Sequence, residues 1–372
     1  MKPFASSRLH PGYTIPYDLY DESGRLILKE GFKVESTSLC DKLLDKALFY
    51  KPPVAGSNNS AFDLHPSLRD PFGFYDQLVR ELDSLLSGHA PKNDFRAQLE
   101  GVRDDLIALW KNKPDAALAS LLHLRESGCY STQHAVHCAV LVLCANAHLE
   151  LPQEHFPSLL SATLTMNIGM YSLQNRLFQQ SQQLSPEQRQ QVDSHPLVSV
   201  QVLEDAGVAD QEWLRIVAQH HEEWDGSGYP NHLGKDGIDP LAHILHIADV
   251  LGAKLWPRGY REAMAPNKAL GLIFQGKQLN QHISSALIKG LGVYPPGSLV
   301  RLKNGDVCLV TRRSLQKANA PRVVALFNQH RMPVWPPQPR NTAEEQYAIS
   351  EVVSPEKLNL RLPGIARIWE YA

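Results

Sequence analysis

Apolar positions recur at helical spacing through the middle of the chain and at strand spacing near its ends. Leu78, Leu82, Leu85 and Leu86 repeat every three or four residues, as do Leu99, Val102, Leu106, Leu109 and Trp110. The same rule predicts helices over 131–147, 156–165, 195–206, 210–221 and 240–255, with Pro114, Pro196 and Pro240 in first-turn positions. Near the N-terminus, Ser23-Gly24 between short alternating segments predicts a β-hairpin, followed by a short helix over 38–46. Residues 53–68 have the Pro/Ser/Asn composition of a linker. Beyond residue 296 the period changes to two. Asn304-Gly305 predicts a hairpin, residues 321–329 offer a third strand, and the C-terminal segment 350–372 is expected to pack on that sheet.

These patterns divide the 372 residues into a small β-rich module (1–52), a linker (53–68), an all-α unit (69–295) and a small C-terminal β unit (296–372). The fold class expected is therefore mainly α. Composition narrows the function. Hydrophobic residues are 43% and charged residues 20%, which is globular rather than disordered. A formal net charge of -2 excludes a broadly basic nucleic-acid binder, so no DNA partner is expected. The most hydrophobic stretch, Cys138 to Ala147, is about half the ~20 residues of a membrane span. The N-terminus has no apolar signal core, so a cytoplasmic protein is expected. Cys40, Cys129, Cys138, Cys144 and Cys308 form no C-x-x-C pair and read as reduced thiols.

The chemistry concentrates in residues 219–238, QHHEEWDGSGYPNHLGKDGI. On a helix from Asp210, His220 shares the stripe of Trp213, Ile216 and Val217, and His221 lies about 100° around. Two adjacent imidazoles at a helix end can converge on one ion. A polar helix end before a Gly/Pro turn would explain each residue singly; the whole string is far more specific.

That string resembles the signature of the HD-GYP family, in His220-His221-Glu222, Asp225-Gly226 and Gly228-Tyr229-Pro230. Further blocks resemble it too: Ser194-His195-Pro196, His246-Ile247-Ala248-Asp249-Val250, Arg258-Gly259-Tyr260-Arg261, Ala263-Met264-Ala265-Pro266 and Tyr294 to Val300, so that the resemblance spans about 115–300. Members are metal-dependent phosphohydrolases that cleave cyclic di-GMP. The resemblance implies an all-α HD-superfamily domain and metal ligands at His134, His195, His220, His221 and Asp249. It also implies phosphate contacts from Arg258 and Arg261, and a ligand-covering loop at Gly228, Tyr229 and Pro230.

The chain departs from the family where the chemistry lies. The His-Asp pair that names the family is replaced by Met166-Asn167, and the Lys that follows by Met170; Ile168-Gly169 keeps the alignment. Tyr130 stands where three-metal relatives have Glu, and Gly252 where many have Asp. Paired metals need carboxylates to offset their repulsion, and Asn167 offers only a neutral oxygen. A dinuclear centre is therefore not expected. One divalent transition metal (Fe, Mn or Zn) on His195, His220 and His221 is, with Asn167 or Asp249 completing it. His137, His243 and His246 are expected to bond backbone, whereas Glu222 and Glu223 either orient imidazoles or form a solvated helix end.

The expectation is a degenerate HD-GYP protein in cyclic di-GMP signalling, with hydrolysis lost or much reduced, acting through nucleotide binding or partner contacts. Its partners would be cyclic di-GMP or a related cyclic dinucleotide, and signalling proteins such as diguanylate cyclases; a homodimer is open. The alternatives are an active phosphodiesterase with a mononuclear or rearranged metal site, which leaves the enzyme question open, and a purely structural interaction domain. The N-terminal module carries no catalytic signature and could sense, dimerise or only pack.

Overall fold

The computed structural model describes residues 2–4, 15, 17–34, 37–44, 48–50, 65–88, 94–123, 128–257, 262–276, 279–314, 317–354 and 364–371. Most of the expected linker, and both Arg258 and Arg261, lie outside the described residues.

In the N-terminal module, β2 (Leu19–Tyr20) and β3 (Leu26–Leu28) form the hairpin expected at Ser23-Gly24. With β1 (Lys2–Phe4) and β4 (Leu48–Tyr50) they make a sheet of order β1-β4-β2-β3, and α1 (Thr37–Leu44) precedes β4. Leu19, Val34 and Leu48 form its small core. The end of the expected linker is helical: α2 (Pro66–Arg69) is capped by His65 and followed directly by α3 (Pro71–Leu86). Arg69 ties this corner back to Glu30 at 2.6 Å.

The helical unit continues with α4 (Phe95–Asn112), α5 (Pro114–His123), α6 (Tyr130–Leu149), α7 (Phe156–Thr165) and α8 (Tyr171–Gln179). It is completed by α9 (Pro186–Asp205), α10 (Gln211–Gln219), α11 (Pro240–Leu255), α12 (Pro266–Gln275) and α13 (Gln281–Leu291). Helix α6 is the axis. It is buried from Tyr130 to Ala145, with α3, α7, α11 and α13 around it. Over the stretch covered on every side the helix has no polar stripe, so His134 and His137 go inside, whereas His148 in its last turn is exposed.

Two expected boundaries shift, each for a reason that bears on the site. Helix α9 begins at Pro186 rather than at His195, because Ser185 and Gln188 form a capping box there. Pro196 therefore sits inside the helix. It has no N–H for the carbonyl four residues back, Val192. Helix α10 ends at Gln219, so His220 and His221 lie just beyond it.

The C-terminal unit is an antiparallel sheet of order β8-β7-β6-β5-β9. The expected hairpin joins β5 (Leu299–Leu302) to β6 (Val307–Arg312), and β7 (Arg322–Phe327) is the expected third strand. Strand β9 (Ile349–Val353) and α14 (Ile365–Trp369) bring the C-terminal segment onto the sheet. Strand β8 (Pro333–Asn341) was not expected, since four of its residues are proline. Proline withholds a ladder donor, and β8 occupies the sheet edge where that is tolerated. No described helix is long and apolar enough to cross a membrane.

Candidate metal centre

The site forms where the C-terminal end of α10 meets α9, α11 and α6. His195 Nδ1 donates to the Val192 carbonyl at 2.6 Å, the acceptor that Pro196 leaves without its helical partner. His220 Nδ1 donates to the Val217 carbonyl at 2.7 Å, in the last turn of α10 where carbonyls lack intrahelical donors. Both imidazoles thus carry their proton on Nδ1 and a lone pair on Nε2. Those two Nε2 atoms face one another at 3.3 Å. His221 joins them, the three ligand nitrogens lying within 4.8 Å of one another.

Two lone pairs opposed in a buried place repel unless something positive lies between. Nitrogens bound at about 2.0–2.1 Å to one tetrahedral ion are roughly 3.3 Å apart. The donor set of these three imidazoles therefore fits a divalent transition metal. Burial, then the neighbouring His220, pushes His195 down to about 3. Burial pushes His220 down to about 4, and burial with His220 holds His221 well below its ordinary value. All three are neutral ligands near pH 7.

His134 and Asp249 form a separate group with Cys138. His134 Nε2 donates to Asp249 Oδ1 across 2.5 Å, and the ligand atoms of this second group could hold an ion. Cys138 Sγ lies 3.7 Å from the same nitrogen. Burial raises the Asp249 carboxyl, but the His134 bond and charge, with His221 and His220, outweigh it and hold the group ionised. The five expected ligands are thus divided between three converging imidazoles and a His–Asp pair.

At the substituted positions the side chains part company. Met166 is fully buried in the apolar core, whereas Asn167 and Met170 line a cavity of about 470 Å³ that His134, His221, Tyr229 and Asp249 also line. Asn167 Oδ1 is buried and accepts no hydrogen bond, as an ion ligand without its ion would be. The turn is stapled to α9 by Ser199, whose Oγ donates to the Met166 carbonyl at 2.9 Å and accepts from Gly169 N at 3.0 Å. Only glycine fits at 169, where a Cβ would meet Ser199 N at 2.5 Å.

Glu222 has a role that sequence reasoning missed. Its fully buried carboxylate accepts from Asn231 N at 2.7 Å and Leu233 N at 2.8 Å, which fixes the loop after His221. The signal was positional: a charged residue directly after two adjacent histidines at a helix end. Tyr229, carried by that loop, stacks on His221 with ring centroids 4.7 Å apart. Gly228 permits the approach, since a Cβ there would meet Glu223 N at 2.2 Å. Pro230 follows through a cis peptide. His246 Nδ1 donates to the His220 carbonyl at 2.9 Å, and its Nε2 lies 3.4 Å from Glu223. His243 accepts from Asn280 N at 3.1 Å. His137 packs edge-on against Trp256 at 4.8 Å in the core.

Residues 116–286 match the family model described as HD domain. A Pseudomonas aeruginosa protein named as a cyclic di-GMP phosphodiesterase is 27% identical over 226 residues, 60% of this chain and 54% of that one. The Xanthomonas campestris response regulator RpfG, also named a cyclic di-GMP phosphodiesterase, is 27% identical over 46% of each chain. A Vibrio cholerae protein named as a 3'3'-cGAMP-specific phosphodiesterase is 26% identical over 45% of this chain and 36% of that one. The chain spans about half or less of the length of these relatives. Among solved structures, an HDGYP protein of Bdellovibrio bacteriovorus superposes with a TM-score of 0.52 at 15% identity, covering 77% of this chain and 97% of that one. The family model makes residues 116–286 an HD domain, and the solved structure agrees with it in fold.

Proposed function

We propose that the protein binds a cyclic dinucleotide at this domain and hydrolyses it slowly or not at all, acting in signalling by the bound state or by contact with other signalling proteins. The observation that carries the reading is the pair at 166–167. Met166 turns into the core, and Asn167 brings no charge to the cavity. Asp249, the one carboxylate among the cavity's described lining residues, is bonded by His134. Two ions that share an attacking hydroxide need bridging negative charge, and this site does not offer it. One ion would supply Lewis acidity toward a phosphoryl oxygen; His195, His220 and His221 would hold it, and Tyr229 stacks on His221.

The test compares cyclic di-GMP turnover by the metal-loaded chain with that of the triple variant Met166→His, Asn167→Asp, Met170→Lys. The expected result is negligible turnover by the native sequence and a measurable gain in the variant. Robust turnover by the native sequence contradicts the reading. It would favour a working mononuclear phosphodiesterase, for which the convergence of three neutral imidazoles speaks.

A further inference from the structure

Charge is unevenly spread along this chain. Residues 296–372 hold eleven Lys and Arg against six Asp and Glu, whereas the whole chain holds 37 against 39. Four of those cations are engaged within the fold: Arg301 by Glu351, Lys303 by Glu345, Arg340 by Asp306 and Arg313 by Asp115. Arg312, Lys317, Arg322, Arg331 and Arg367 are exposed and make no ion pair among the described residues; the described acids of the unit outside those pairs are Glu344 and Glu370. Arg312 and Arg322 stand directly opposite one another on β6 and β7, and β8 brings Asn341 rather than an acid to the same row. Like charges so placed repel. Past the other end of β7, about 17 Å along the strand, Arg331 sits at φ 61°, a backbone region that favours glycine or asparagine. Asn328 fixes that turn, its Oδ1 accepting from His330 N and Met332 N, both at 3.0 Å. The fold leaves three large apolar side chains in solvent here, Met332 at 61% exposure, Trp335 at 43% and Tyr371 at 41%. The Trp335 and Tyr371 rings meet edge to face at 5.5 Å, and the Arg367 guanidinium lies over Trp335 at 4.4 Å.

We propose that the C-terminal β unit binds single-stranded RNA, with phosphates at its unpaired cations and a base against Trp335 and Tyr371. Charge complementarity selects a polyanion. The cations at the two ends of β7 are too far apart for one small anion and within reach of a chain charged at every unit, and guanidinium groups pair well with phosphate oxygens. The rings select a chain with bases, because exposed aromatics offer a stacking face to any base. A partner that adds a strand does not fit: β8, the sheet edge beside Trp335, has four prolines that withhold donors. A duplex keeps its bases stacked on one another and leaves Trp335 and Tyr371 unused. The near-neutral total charge of the chain conceals this surface, since most of its acids lie outside residues 296–372. The surface is on a different unit from the three imidazoles, so the inference does not depend on the dinucleotide reading.

The test is fluorescence anisotropy with the full chain and a labelled oligouridylate of about a dozen nucleotides, over a series of salt concentrations. Blunt duplex RNA, poly-glutamate and vesicles containing phosphatidylglycerol are the competing anions. The single strand should bind, more tightly than the duplex or poly-glutamate, and excess cyclic di-GMP should not displace it. Affinity should fall as salt rises. Arg331→Ala should weaken binding by roughly three- to tenfold and reduce the salt slope by about 0.7. Trp335→Ala should weaken it by about tenfold with the slope unchanged, which separates stacking from charge. If that variant does not fold, Tyr371→Ala removes the neighbouring ring, with the same expected pattern. No binding of the single strand at low salt overturns the proposal, as does unchanged binding in a folded ring variant. Equal affinity for poly-glutamate overturns it in favour of an acidic protein, vesicle binding without RNA binding in favour of a membrane surface, and displacement by cyclic di-GMP moves the RNA to the metal centre and overturns it too.

Discussion

Replacing Glu222 should unfasten the loop that carries Tyr229. The carboxylate is fully buried and accepts two backbone N–H groups, from Asn231 at 2.7 Å and Leu233 at 2.8 Å. Hydrogen bonds to a charged group contribute about 1.5–3 kcal/mol each. Glu222→Gln keeps one acceptor oxygen but turns an amide N–H₂ toward a backbone donor. It should lose one bond and leave that donor unpaired, a cost of about 2–4 kcal/mol. Glu222→Ala loses both and leaves a void, a cost of roughly 4–6 kcal/mol, a large part of the ~5–15 kcal/mol that holds a domain. Urea unfolding would give the stability change, and hydrogen exchange at Tyr229, Asn231 and Leu233 would locate it. Exchange there should accelerate in the Gln variant while the amides of α6 keep their order of protection. A Gln variant within 0.5 kcal/mol of native, or one with uniform loss of protection, would refute the clamp.

Other consequences follow from the same geometry. Elemental analysis of protein purified without chelator should find one transition metal per chain, lost in His220→Ala and retained in His134→Ala, because His134 is bonded to Asp249 rather than to the three-imidazole group. Pro196→Ala restores a helical donor to the Val192 carbonyl that His195 uses; metal affinity, read by competition with a chromophoric chelator, should fall roughly tenfold with the helix intact. Gly169→Ala drives a Cβ to 2.5 Å from Ser199 N, so thermal unfolding should show a loss of about 1–3 kcal/mol from the displaced turn.

The helical periods predicted α3 and α4 well because each buries one face and exposes another. Boundaries failed where a cap or an internal proline overrode periodicity, as at Ser185 and Pro196 in α9. Strand β8 was hidden by prolines that only an edge position accommodates. At the site, the convergence of His195, His220 and His221 was legible, since their spacing follows helix ends and a known motif. Which of His134 and Asp249 would join them was not. Their mutual hydrogen bond depends on how α6 and α11 pack, and no local pattern encodes that. The two substituted methionines looked alike in sequence. One entered the core and the other the cavity wall, because the turn at Asn167 separates them. Glu222 read as ambiguous for a similar reason: its partners, nine and eleven residues on, are backbone groups of a loop.

The central claim, a site that holds a cyclic dinucleotide without cutting it, is tested most directly by a single-turnover measurement. Metal-loaded chain in excess over cyclic di-GMP is incubated, denatured, and the nucleotide separated by chromatography. The account predicts that the cyclic form is recovered intact from a mixture in which filtration shows it bound. Conversion to the linear dinucleotide within the dead time of an ordinary phosphodiesterase assay would contradict it.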